Sequence, residues 1–277
     1  MAISSGLLRT TRRLGVPFET IWDQFQFYGE VLGNLGRALK YGPVILRLTT
    51  DVAVGAGALV LGGGMFFVIG SLSFFTGTAV GLEGYVALEQ IGAQNYIGLV
   101  AAFANAREIT PLIAGVALAA QIGAGFTAEL GAMRISEEID ALEVMSVPSV
   151  VYLVSTRIWS TLILAIPLYL LALFASFQAT RVIATSYLDV STGAYGHYFD
   201  LFLPPIDVLY SLTKAVVFTV CVVLIHCYYG YYASGGPAGV GVAVGRAIRT
   251  SLVVVVLLNL LMSIIFYGGG NTVKIAG

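Results

Sequence analysis

Long apolar runs, separated by short polar stretches, dominate the pattern of hydrophobic and polar positions along the chain. Residues 52–75, 96–125, 150–177, 206–229 and 252–267 each form such a run. About 20 mostly apolar residues carry a helix across the hydrocarbon core of a bilayer. The second run is interrupted by polar residues, and the last spans only if tilted or extended toward Arg249. The pattern predicts an all-α polytopic membrane protein with five transmembrane helices. The first run is rich in glycine (Gly55, Gly57, Gly62, Gly63, Gly64 and Gly70). Small residues let helix backbones approach closely in lipid, so tight packing is expected there.

Before the first run, Ile21, Phe25, Tyr28, Leu32, Leu35 and Leu39 recur at steps of four and three, while Asp23, Gln24, Gln26, Glu30, Asn34 and Arg37 take the other faces. One greasy side immediately ahead of a span predicts an amphipathic helix lying in the membrane interface, in preference to one packed only on protein. The chain then divides into residues 1–47, a cytoplasmic N-terminus with this helix, and residues 48–277, a single transmembrane domain.

Composition agrees with the pattern. Of 277 residues, 58% are hydrophobic and 10% charged, with a mean hydropathy of +0.90. A soluble domain of this length cannot bury that much apolar surface, so lipid is the natural solvent. The opening "MAISSGLLRTTRRLG" lacks the apolar core of a cleavable signal peptide, which predicts a native N-terminus. Cys221 and Cys227 lie six apart in the fourth run, on different sides of a helix, and read as small core hydrophobes.

Charge then predicts orientation. Arg9, Arg12, Arg13, Arg37, Lys40 and Arg47 precede the first run, Arg134 and Arg157 join the second to the third, and Arg246 and Arg249 join the fourth to the fifth. Only Arg181 and Lys274 lie on the other side. Ten against two places the N-terminus in the cytoplasm and the C-terminus outside, in the plasma (inner) membrane. External connections are expected at residues 76–95, with Glu83 and Glu89, and near residues 181–205.

The second connection holds "GAMRISEEIDALEVMSVP", four acids within seven positions. Read as a helix from Ser136 to Met145, it has Ser136 as N-cap, Glu137 and Glu138 at the positive dipole end, and Pro148 as a stop. Ile135, Ile139, Leu142 and Met145 make an apolar stripe beside the acids. Such a helix can seat its apolar side in a partner's groove while its acids meet basic residues there. An anionic inner leaflet would repel it, which favours a protein partner over lipid.

Catalytic chemistry is thin. The chain has no GxxxxGK[ST] phosphate loop, no GxSxG elbow and no HExxH, and "GVGVAVG" lacks dinucleotide spacing. His197 reads as a surface residue and His226 as a partner to a neighbouring helix. No metal, cofactor or nucleic acid is expected, and any ATP and Mg would belong to a partner. Arg107 and Glu108 in "NAREITPLIAG" need a reason, because a charge at mid-bilayer costs about 2.5–3.5 kcal/mol. They point about 100° apart on a helix, so each should face its own partner, such as Lys214, Glu129 or a lipid headgroup. The competing structural reading is a kink, with Pro111 breaking the hydrogen-bond ladder and the two charges satisfying the groups it frees.

"TAELGAMRISEEIDALEVMSV" resembles the hallmark of the MlaE/YrbE permeases, membrane subunits of ABC transporters that move lipids between bacterial envelope layers. "GLEGY", "REITPLIAG" and "SLTKAVVFTV" also match, so the likeness runs from about residue 32 to 267. "YYGYYASGGPAGVGVAVGRAIRTS" resembles the actinobacterial YrbE proteins encoded with Mce proteins, the B-type member of a pair. The resemblance implies an interfacial helix plus five spans, with two permeases, an A-type and a B-type, pairing around a lipid pathway. A cytoplasmic ABC ATPase would dock on a coupling helix, here Arg134, Glu137, Glu138, Asp140, Leu142 and Glu143, with Mce proteins on the outer side. It also implies a lipid pathway at Arg107, Glu108, Lys214, Tyr85 and Gln121, with Arg107 attracting an anionic headgroup or a carboxylate and Glu108 orienting its counterpart or the opposing subunit. Several relatives have arginine where Gln121 stands, and some an acid at Asn259, which puts a role for those charges in doubt here. Two other function classes compete. One is an ion-gradient transporter using Arg107, Glu108 and Lys214; the other is an intramembrane lipid enzyme using Glu108, His226 or Lys214.

Overall fold

The computed structural model describes residues 22–54 and 64–268, and every regular element among them is helical. Five helices are long and apolar enough to cross a membrane: Gly64–Glu89, Gln94–Ile135, Val150–Tyr187, Pro205–Tyr231 and Gly236–Tyr267, called the first to fifth spans below. A helix over residues 22–33 and another over Gly42–Val54 precede them. The boundary expected at 47/48 falls inside the latter. Of the glycines expected to line the first span, Gly55, Gly57, Gly62 and Gly63 lie outside the described residues, as do Ile21, the first three arginines and Lys274.

The spans are longer than the apolar runs, and the connections expected to be external are correspondingly shorter. Over the described residues the first span comprises Gly64–Glu89 and runs on through Thr76, so the connection expected over 76–95 shrinks to a few residues. The polar residues that read as loop are satisfied within the helix: Thr76 Oγ1 and Thr78 Oγ1 donate to the carbonyls of Leu72 (2.9 Å) and Phe74 (3.0 Å). Gly77 is there for contact, since a Cβ would collide with the carbonyl of Ser176 in the third span. Thr180 Oγ1 also reaches the Gly77 carbonyl at 2.8 Å. Backbone against backbone, these two helices meet as small residues allow in lipid.

The third span extends to Tyr187, and Thr192–Phe202 forms a further helix, which leaves little of the loop expected over 181–205. The fifth begins at Gly236, so "GVGVAVG" is its first turns rather than a loop. Arg157 and Arg181 lie in the third span, Arg246 and Arg249 in the fifth. Cys227 is buried and Cys221 half-buried, both free thiols in the fourth span.

The helix over 22–33 uses two apolar faces. Phe27 and Val31 are buried, with Phe27 at 5.6 Å from the Tyr228 ring, while Phe25, Leu32 and Leu39 of the predicted stripe point outward. Ser155 Oγ donates to the Val31 carbonyl (3.4 Å) and Trp159 Nε1 to that of Leu35 (3.0 Å). The segment therefore packs on the bundle and still presents an apolar side, the geometry an interfacial helix needs. It shares one end of the bundle with the acidic helix, the start of the third span and the end of the fourth.

Candidate functional site

The second span carries the charges that sequence singles out, and its backbone is irregular around them. Ala101–Ile109 is a π-helix, followed by an α-helical stretch with Pro111 in its first turn. Pro111 has no N–H, so the carbonyls four and five residues back, on Arg107 and Ala106, receive nothing from it. Both are served from the fourth span: Lys214 Nζ donates to the Arg107 carbonyl (2.6 Å), and Ser211 Oγ to that of Ala106. A proline break inside an apolar bundle stands because side chains of a neighbouring helix replace the missing donor.

Arg107 and Glu108, which the kink reading would use for this, are engaged elsewhere. Arg107 donates through Nε and Nη2 to Asp207 Oδ2, each at 2.7 Å, with both side chains almost fully buried (3% and 1% exposed). Phe103 and Tyr267 stack on the guanidinium at 4.0 and 4.5 Å. Of the two partners expected for Arg107, a headgroup or a carboxylate, the structure shows a carboxylate, that of Asp207. Asp207 sits in the first turn of the fourth span, where the positive dipole end favours it. Sequence reading passed over Asp207 because it follows "PP" at the edge of an apolar run; a carboxylate opening a span was the signal available.

Glu108 and Lys214 make the second pair, 3.4 Å apart, with Lys214 fully buried and the Glu108 side chain 42% exposed. The fifth span completes it. Asn259 donates through Nδ2 to Glu108 Oε2 (2.8 Å) and accepts from Lys214 on Oδ1 (3.3 Å), while Ser263 Oγ donates to Glu108 Oε1 (2.6 Å) and accepts from Lys214 (2.6 Å). An amide suits position 259 because it meets a carboxylate and an ammonium at once; an acid there would face Glu108. The four charges balance, and only the Glu108 carboxylate opens to the surface. Beside that opening the fifth span shows an apolar face, with Leu260 and Ile264 exposed.

Tyr85 and Gln121 are not drawn in. Tyr85 packs with Ile97, Val190 and Tyr195 in a separate cluster, and Gln121 is exposed about 20 Å along the second span from Glu108. Glu129, another expected partner, pairs instead with Arg157 (2.9 Å). His226 bridges helices as expected: Nδ1 lies 2.8 Å from Thr127 Oγ1 and Nε2 lies 3.1 Å from Ser251 Oγ. No cluster of potential metal ligands occurs among the described residues.

The family described as Permease MlaE matches residues 54–265, which includes Arg107, Glu108, Asp207, Lys214, Asn259 and Ser263. The chain belongs to the MlaE permease family. A probable ABC transporter permease protein of Rickettsia prowazekii is 32% identical over 200 residues, 72% of this chain and 77% of that protein. The intermembrane phospholipid transport system permease protein MlaE of Haemophilus influenzae is 25% identical over 247 residues, 89% of this chain and 91% of the relative. The chloroplastic protein TRIGALACTOSYLDIACYLGLYCEROL 1 of Arabidopsis thaliana is 30% identical over 210 residues, 73% of this chain and 58% of the relative. This chain is thus a multi-pass membrane protein of an ABC permease family.

In this MlaE-family chain the acidic loop helix is Glu138–Val144, two residues shorter at its start than expected. Glu137, in a left-handed conformation (φ 60°), breaks the chain out of the second span. Ser136 is consequently not an N-cap; its Oγ donates to Glu138 Oε1 (2.9 Å). The apolar stripe is divided. Ile139 is buried and Leu142 packs against the core, so both face this bundle rather than a partner's groove, whereas Val144 (86% exposed) and Met145 stand outside. Arg134 Nη1 holds Asp140 Oδ1 at 2.6 Å. At the other end Glu143 Oε1 accepts from Ser149 Oγ (2.8 Å) and from the Tyr231 hydroxyl (3.1 Å). Those two hydrogen bonds, with the Arg134 charge, hold the Glu143 carboxyl below the usual glutamate range. The helix is clasped at both ends, and Glu137, Glu138, Val144 and Met145 form its outward surface.

Proposed function

We propose that this chain is the membrane-spanning, non-catalytic subunit of an ATP-driven lipid transporter, with ATP and Mg bound by a separate cytoplasmic ABC ATPase. The clasped acidic helix carries this reading: a rigid, acidic surface with an apolar knob at Val144 and Met145 suits a groove with basic walls. The charge asymmetry of the sequence supports a cytoplasmic position for that helix and the N-terminus, with the C-terminus on the outer side. Glu108, opening beside the exposed apolar face of the fifth span, supports a pathway shared with a second permease subunit. The "YYGYYASGGPAGVGVAVGRAIRTS" segment supports a YrbE B-type assignment, which brings an A-type paralogue and Mce proteins as partners. The Haemophilus relative's name supports a phospholipid as cargo, within a wider class that includes fatty acids and sterols.

The ion-gradient reading draws less support, because Lys214 and Arg107 are committed to structural hydrogen bonds and a buried ion pair. An enzyme reading meets a His226 held inside the bundle by two hydroxyls.

Co-purification tests the proposal. Glu138→Lys combined with Val144→Asp should release the ATPase subunit while the membrane bundle elutes unchanged, since both side chains are exposed. Full recovery of the ATPase with this variant would overturn the docking assignment.

A further inference from the structure

Tyr231 ends the fourth span at a junction of four elements. Its hydroxyl donates to Glu143 Oε1 of the acidic helix (3.1 Å) and lies 2.8 Å from Ser149 Oγ, just ahead of the third span. Its ring stands 5.7 Å from that of Phe27 in the helix over 22–33, and the Arg134 guanidinium, near the end of the second span, lies 6.0 Å from it. Gly230 seats the junction: a Cβ there would lie 2.9 Å from the Leu130 side chain and from the Thr127 carbonyl oxygen, both in the second span. Tyr231 is 7% exposed, so it stands behind the acidic helix and outside the surface that Glu137, Glu138, Val144 and Met145 present.

The spans that meet at this end of the bundle differ in continuity on the way to the Glu108–Lys214 pair. The second is joined covalently to the acidic helix, but between Arg134 and Glu108 it contains the π-helix Ala119–Gly123 and then Pro111. The third opens with the π-helix Val150–Ser155 and has Pro167 inside it. The fourth is α-helical throughout Pro205–Tyr231, with its proline at the first position. The fifth is also unbroken, yet among the described residues it shares no hydrogen bond with the acidic helix. Prolines and π-turns are where helices bend and absorb displacement, whereas an unbroken helix carries it along its axis. On the fourth span Lys214 lies about 26 Å from Tyr231. There its ammonium holds the Arg107 carbonyl (2.6 Å) and faces Glu108 (3.4 Å).

We propose that Tyr231 is a positioning residue, the contact through which displacement of the acidic helix reaches the Glu108–Lys214 pair by way of the fourth span. The inference rests on the reading of that helix as the ATPase-docking surface. Coupling between distant sites is carried by rigid elements and the hydrogen bonds that join them. Here the covalent route is interrupted twice in the second span, and the non-covalent one through Tyr231 is not. The hydroxyl is the deciding group, because its hydrogen bond to a carboxylate is charge-assisted and directional. The ring contacts with Phe27 and Arg134 would persist in phenylalanine, so the two contributions are separable.

The test uses the full chain in its complex with the ATPase subunit, in nanodiscs. Cys221→Ala and Cys227→Ala remove the native thiols, and Leu260→Cys, at an exposed position beside the Glu108 opening, carries a bimane fluorophore. Its emission with and without a non-hydrolysable ATP analogue reads the change at that opening. The emission of this parent should shift with nucleotide. Tyr231→Phe should weaken the coupling between nucleotide and probe roughly tenfold, the loss of one hydrogen bond to a charged group, with the ATPase still in the complex. Glu143→Gln keeps an acceptor oxygen and should retain most of the shift, whereas Glu143→Ala should lose it; a role confined to stability would move melting and leave the shift in place. A full shift in Tyr231→Phe would overturn the inference and assign the coupling to the covalently joined spans. So would an absent shift in the parent, or release of the ATPase by Tyr231→Phe, which would make the residue a brace of the docking surface. Failure of the docking reading shows differently: the ATPase would stay on Glu138→Lys with Val144→Asp, whatever Tyr231→Phe does.

Discussion

Lys214 donates its hydrogen bond to the carbonyl of Arg107, the group that Pro111, four residues further on, cannot serve. The same ammonium lies 3.4 Å from Glu108. One side chain thus repairs the backbone break in the second span and neutralises the charge beside it. Lys214→Met should cost about 3 kcal/mol, the lower end for a broken buried pair because Glu108 is half in solvent. Pro111→Ala in that background should recover part of the loss, since residue 111 regains its N–H. Thermal unfolding of the four proteins of this cycle checks the coupling; a strictly additive result would remove Lys214 from the role of replacement donor.

Arg107 and Asp207 should behave as a unit. Arg107→Ala strands a carboxylate that is almost fully buried, so it should destabilise the bundle by about 3–5 kcal/mol and lower its yield. Replacing both with leucine should cost much less than the sum of the two single changes. If Arg107→Ala folds at full stability and only lipid transport falls, the pair belongs to the pathway and the structural assignment is wrong.

Gly123 faces the imidazole of His226, and a Cβ would sit 2.7 Å from Nε2. Gly123→Ala should therefore cost about 1–3 kcal/mol by overpacking. His226→Ala makes room for that methyl, so the double variant should be no less stable than His226→Ala alone. Denaturant unfolding in detergent distinguishes the outcomes.

Glu143 supplies a pH dependence outside the spans. Its folded value is lowered below the ordinary 4.5, first by Ser149 and then by Tyr231. A lowered carboxyl contributes stability that is fully present above the unfolded value and is lost as pH falls through the folded value. The acidic helix should therefore stay clasped at neutral pH and loosen only below about pH 4.5. Ser149→Ala should raise the Glu143 pKa and move that loosening to higher pH. NMR titration of the Glu143 carboxyl reads the shift directly, and an unchanged value in Ser149→Ala would deny the clasp.

The apolar runs, the amphipathic segment before them and the acidic connection were readable from sequence because each rests on local periodicity and on what a bilayer demands of about 20 consecutive residues. Helix ends were not. Thr76 and Thr78 look like loop residues until their hydroxyls bond back to the preceding turn, and Gly77 looks like a breaker until Ser176 lies against it. Sequence singled out Arg107, Glu108 and Lys214, since charge in an apolar run is conspicuous and expensive. It could not pair them. Asp207 is 100 positions from Arg107 and Ser263 is 155 from Glu108, separations that only the packing of the second, fourth and fifth spans brings within hydrogen-bond reach. The direction of the acidic helix was likewise a tertiary decision. A stripe of Ile139 and Leu142 has no intended partner in the sequence, and it turned inward because the bundle beneath offered the nearest apolar surface to bury it.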